Sequence, residues 1–268
     1  MVKANAVVEA SYHLTIYEQR ILLACIAQIN SKGSLSIEDE FEISVKDIVA
    51  MSDLKNIDEA YTLLEKAADK FKTRTVFIGD TNPEKSEDER TSINWTSKVT
   101  YKKKLGKVIL RFGYDIIPYL SEISGRYTKY ELHNVTRFKS SYSIRLYEMF
   151  KQWNESGKRK IEITELKKQL QVEENYPAMC DFKKRVIDVA IKEINDYSDI
   201  YVNKPTQIKA GRVITHLCFT FKEKPKSSKV THINKPKANK PLPDLTSQQK
   251  ADHLAYLQAE LAKREASQ

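Results

Sequence analysis

Apolar positions are densest between residues 15 and 30, where Ile21, Leu22, Leu23, Cys25, Ile26 and Ile29 leave a helix little polar surface. Thr15 and Glu18 have the spacing of a capping box that opens this helix, and Gly33 stands just beyond its end. A helix so apolar is buried on most sides, either as the spine of its own domain or with part of its surface shared with a second copy. A short strand at 41–44 follows, then helices at 45–51 and 57–72. In the longer of these, Ala60, Leu64, Ala67, Ala68 and Phe71 recur at helical spacing behind the Asn56 and Glu59 capping pair. Strand-like runs at 73–78 and 108–112 close the pattern as a hairpin.

About 120 residues later the same order returns: a helix at 143–153, a strand at 160–164, helices at 165–170 and 182–197, and a hairpin of 199–202 with 212–219. A three-helix core closed by a hairpin is the winged-helix form of helix-turn-helix, whose last helix reads a DNA groove. The expected fold class is therefore α+β, two tandem winged-helix domains followed by a disordered basic C-terminal tail. The expected divisions are 1–125, 126–222 and 223–268, with the first boundary near 124–126. The first domain is expected to serve dimerisation and DNA backbone contacts, the second to be the main DNA reader.

In the helix at 182–197, a spacing of 100° per residue puts Val186, Ile187, Ala190, Ile194 and Tyr197 on one side and Lys184, Arg185, Asp188 and Lys192 on the exposed arc. Lys183 projects nearer the apolar side, but in the first turn the helix end frees it to reach outward. Basic side chains at that turn stand where base edges are met. The matching helix of the first domain offers Thr62, Glu65, Lys66, Asp69 and Lys70, a mixed set with little net charge.

Charge sharpens this asymmetry. Residues 1–125 carry 17 Lys and Arg against 19 Asp and Glu, residues 126–221 carry 18 against 12, and residues 222–268 carry 10 against 5. The positive potential that draws a polyanion thus lies in the second domain and the tail. The loop 203–212 contributes Lys204, Lys209 and Arg212 with turn residues, as a backbone-gripping wing does. In the first domain Lys102, Lys103, Lys104 and Lys107 flank Tyr101 and Gly106, which reads equally as a solvated charge run or a phosphate-contacting wing. The acidic loop 84–89 has the wrong sign for phosphates. From residue 222 lysines alternate with prolines, a composition that builds no core, before a short helix with Leu254, Leu257 and Leu261 on one face.

Catalytic signatures are missing. The seven glycines form neither a GxxxxGK loop nor a GxGxxG fingerprint, and the five histidines have no HxH or HExxH spacing. No enzyme activity, cofactor or metal is expected. Cys25, Cys180 and Cys218 show no CxxC spacing and read as buried free thiols in a reducing compartment. Without an h-region at the start or an apolar run long enough to span a bilayer, the chain reads as cytoplasmic with no membrane partner.

Three blocks carry a resemblance. LTIYEQRILL at 14–23, YSIRLYEMFKQW at 142–153, and FKKRVID through KEIN at 182–195 resemble the iteron-binding plasmid replication initiators, over roughly residues 7–222. The resemblance implies two winged-helix domains clamping direct repeats in double-stranded DNA at an origin, with host helicase and host initiator proteins as partners. It also implies a homodimer in the free state, joined through the first domain and repressing its own gene, and a monomer on a single repeat. Lys183, Lys184 and Arg185 would form the basic cluster of the second recognition helix. Lysine stands where arginine is often seen at two of these positions, and lacks the bidentate fork that favours guanine. A dedicated winged-helix transcriptional repressor is the alternative function.

Overall fold

The chain begins with a short strand, β1 (Val2–Ala4), and a short helix, α1 (Asn5–Glu9), before the long helix α2 (Ile16–Lys32). The computed structural model describes residues 1–32, 35–52, 56–78, 92–121 and 127–225, without the side chains of 30–32. Thr15 and Glu18 form the expected box. The Thr15 amide donates to Glu18 Oε2 at 2.7 Å, and the Glu18 amide to Thr15 Oγ1 at 3.4 Å. Next come β2 (Phe41–Ser44) and α3 (Val45–Ala50), joined by a second box in which the Ser44 amide donates to Asp47 Oδ2 at 2.7 Å. Helix α4 (Ile57–Phe71) is capped by Asn56, which accepts from the Asp58 amide, and its stripe of Ala60, Leu64, Ala67, Ala68 and Phe71 is buried.

Strand pairing in the first domain departs from the expectation. Strand β3 (Thr75–Phe77) does not pair with residues 108–112; it pairs with β4 (Ser92–Asn94), and Phe77 also bridges to Ser11. The wing is built from β5 (Thr96–Lys102) and β6 (Lys107–Phe112), with β2 on the other edge of β6. Apolar alternation marks a strand but does not name its partner, and the partner here is set by the tight turn Lys103–Leu105 and Gly106. Gly106 has φ +57, and the Tyr61 ring of α4 lies so close that a Cβ would come within 2.2 Å of it.

After a 3-10 segment (Tyr114–Tyr119) the chain runs through β7 (Tyr127–Lys129), α5 (His133–Thr136), α6 (Ser141–Gln152), β8 (Lys158–Glu162) and α7 (Ile163–Leu170). Then follow α8 (Met179–Phe182), a π turn (Lys183–Ile187), α9 (Asp188–Tyr197), β9 (Ile200–Val202), β10 (Thr206–Ala210) and β11 (Val213–Glu223). The second hairpin is β10 with the near end of β11. Strand β9, expected as its partner, pairs instead with the far end of β11 at Phe221–Glu223. Half of the expected wing loop 203–212 is therefore strand, and the turn is only Gly211 and Arg212.

Residues Met1–Lys224 form one compact unit, and the first dozen residues pack against both domains. Lys3 of β1 pairs with Thr128 of β7, and Val8 and Leu23 belong to the apolar core that contains Phe150, Phe182 and Phe219. Ile21, Leu22, Cys25, Ile26 and Ile29 point into the first-domain core. The apolar excess of α2 is thus consumed within the chain: one helix serves two cores. The expected boundary at 124–126, the acidic loop 84–89, the stop at Gly33 and the tail beyond residue 225 lie outside the described residues.

The cysteines differ from the expectation of three buried thiols. Cys25 is buried, Cys218 half-buried and Cys180 exposed, and burial pushes the Cys25 thiol far up. Alkylation with iodoacetamide should therefore modify Cys180 first and Cys218 more slowly, and reach Cys25 only on unfolding. Mass spectrometry of a time course checks this; early labelling of Cys25 would contradict the packing of α2.

Candidate nucleic-acid interface

The second recognition helix spans α8, the π turn and α9 without a break. Phe182, Val186, Ile187, Ala190 and Ile194 are buried and anchor it to the core, so the opposite side faces solvent. Lys184, Arg185 and Lys192 are exposed there as the periodicity predicts. Arg185 is 67% exposed and lies 3.6 Å from Asp181, one turn earlier. Lys183 does not reach outward. It is half-buried and donates to both Asp188 carboxylate oxygens, at 2.9 and 2.8 Å.

The helix and β9, with the connection 203–205 that follows it, meet along a groove of about 370 Å³ whose lining includes Lys183, Asp188, Lys192, Tyr201 and Lys204. Asn195 fixes its far wall, exchanging two hydrogen bonds with the Val202 backbone. Three of the expected basic residues are thereby brought together. Lys209 on β10 and Arg212 in the turn stand apart from them on the exposed wing tip.

The first-domain wing is electrostatically different. Lys107 lies 2.5 Å from Glu42 and Lys103 3.6 Å from Glu65, while Glu40 takes Lys98 at 2.9 Å and Arg111 at 3.1 Å. The hydrogen bond from Lys98, supported by Arg111, holds the Glu40 carboxyl below its usual range. Lys102 and Lys104 are exposed, as is Leu105 between them and Gly106. This wing is closer to a neutralised charge run than the second.

Sequence reasoning missed a buried polar cluster between the first segment and α6. Arg145 donates to Ala10 O at 2.6 Å and to Val7 O at 3.4 Å, and its guanidinium lies 3.8 Å from the Tyr12 ring centroid. Glu148 accepts from Lys3 Nζ at 2.6 Å and from the Tyr130 hydroxyl at 2.5 Å. Burial, and then the Glu148 carboxylate, push the Tyr130 hydroxyl well above its usual range, so it remains a donor. The available signal was two opposite charges three residues apart inside the apolar run of α6. Among the described residues no three His, Cys, Asp or Glu side chains gather as a metal site, and no helix is long and apolar enough to cross a membrane.

Residues 1–151 match the family described as initiator replication protein, WH1, and residues 162–221 match initiator Rep protein, WH2. The chain belongs to the Rep initiator replication protein family. A replication initiation protein of Escherichia coli is 30% identical over 224 residues, covering 81% of this chain and 67% of the relative. The PI protein of Escherichia coli is 27% identical over 238 residues, covering 78% and 77%. The crystal structure of Pi initiator protein in complex with iteron DNA shares the fold, with TM-score 0.66, 24% identity, and coverage of 83% of this chain and 95% of that one. The WH1 and WH2 matches agree with the tandem plan expected from the sequence and with the order of elements here.

Proposed function

We propose that this Rep family protein starts plasmid replication by binding repeated origin sequences, iterons, in double-stranded DNA. The observation that carries the reading is the exposed basic arc of the second recognition helix, continued by Lys204, Lys209 and Arg212, on a chain of this family. Arg185 meets base edges, and the wing residues and Lys184 hold phosphates. The first domain, its wing charges largely paired, follows the backbone. Binding energy strains the duplex, and host helicase and initiator proteins are then recruited. In the free state the protein is a homodimer that represses its own gene, and one chain binds a single repeat. No chemistry on DNA is part of this reading, and the cytoplasm is where it acts.

Footprinting on the DNA flanking the protein's own gene is the test. Protection of direct repeats is the expected result, whereas protection of inverted repeats alone would favour a dedicated repressor. In the same titrations Lys209→Ala should weaken every sequence alike and lower the salt slope by about 0.9 unit, one phosphate contact. An unchanged slope would remove the wing tip from the interface.

A further inference from the structure

The ion pair between Lys183 and Asp188 joins residues five apart, a spacing an α-helix does not support. At 100° per residue such positions lie 140° apart around the axis, and only neighbours three or four apart meet. The π turn at Lys183–Ile187 widens the helix where the pair forms, and both carboxylate oxygens are engaged. Single π turns inside helices recur at functional sites.

Two further observations give the pair a direction. Asp188 is the carboxylate among residues that otherwise line the groove with Lys183, Lys192 and Lys204, where a phosphate-binding surface gains nothing from negative charge. The pair is also not buried structure, since the Asp188 side chain is 44% and the Lys183 side chain 27% exposed. An exposed pair of this kind contributes little to stability.

We propose that Asp188 is a specificity-determining residue that withholds Lys183 from the phosphates of any duplex and surrenders it only at the cognate repeat. There the carboxylate exchanges the lysine for an exocyclic base amine in the major groove, cytosine N4 being the amine a carboxylate pairs with by preference. The released Lys183 then takes a phosphate. Specificity arises partly by penalising the wrong sequence, as a misplaced charge does. This rests on the DNA-binding reading above and adds a residue to it.

The test uses the full-length protein, a duplex carrying the footprinted repeat and the same duplex shuffled. Asp188→Asn should bind the shuffled duplex more tightly, with a salt slope steeper by about 0.9 unit. Its preference for the repeat should fall on the order of tenfold. Lys183→Ala should weaken repeat binding more than shuffled-duplex binding, because that lysine reaches a phosphate only on the repeat. Asp188→Glu, which keeps the charge, should hold the shuffled-duplex slope at the wild-type value. Thermal melts close to wild type show that the variants fold. Equal weakening on both duplexes, or an unchanged preference in Asp188→Asn, would overturn the role of Asp188 while leaving the function intact. If the wild-type protein itself shows no preference for the repeat, the functional reading fails and this inference with it.

Discussion

Arg145→Met should destabilise the protein by about 3–5 kcal/mol, the usual cost of removing one partner from a buried charged cluster. Arg145 is 2% exposed, and its guanidinium is the group that holds the Val7 and Ala10 carbonyls against α6. Without it those carbonyls lose their donor and Tyr12 its cation, while Glu148 is left with Lys3 and Tyr130. Methionine fills much of the volume but donates nothing. Urea denaturation followed by circular dichroism measures the effect as a lower midpoint at an unchanged slope. A loss below about 1 kcal/mol would mean that the apolar contacts of Val8 and Leu23 hold the first segment by themselves.

Arg185→Ala should cost about 1–3 kcal/mol of binding on the cognate repeat and relax discrimination at one base position. Among the described residues Arg185 is tied to the fold through the loose contact with Asp181, and it presents its planar fork to solvent, so truncation removes a reader without disturbing the core. The neighbouring Lys184→Ala should behave differently, weakening all duplexes alike with a lower salt slope. Competition titrations against single-base variants of the repeat separate the two. An Arg185→Ala protein that keeps its full base preference would assign direct readout elsewhere on the helix.

The helices were legible because their signals are local. The Thr15 and Glu18 pair, the Ala60 to Phe71 stripe and the buried face from Val186 to Ile194 each lie within a few turns of chain. The strands were legible as strands but not as pairs, since β3 and β9 are as apolar as the true wing strands and only long-range register separates them. The apolar excess of α2 was legible as a whole, but the burial of Leu23 against the second core lies beyond any local pattern. Lys183 was placed beside the apolar face by a 100° wheel, and the π turn, which has no composition of its own, turned it toward Asp188. Basic residues marked the candidate interface, with Asp188 on the same exposed arc; that Asp188 pairs with Lys183 and Asp181 with Arg185 took the structure to find.

The pairing of β1 with β7 has a consequence for the newly made chain. Lys3 waits for Thr128, and the ribosome must add the whole first domain before that partner exists. At about 5–20 residues per second this takes on the order of ten seconds. Val7 and Val8 stay without their final cover during that interval, although α2 can already gather the first core. The seam between the two domains therefore cannot begin to close until the chain beyond the first domain has been made, and its unfinished state is the one a chaperone would meet.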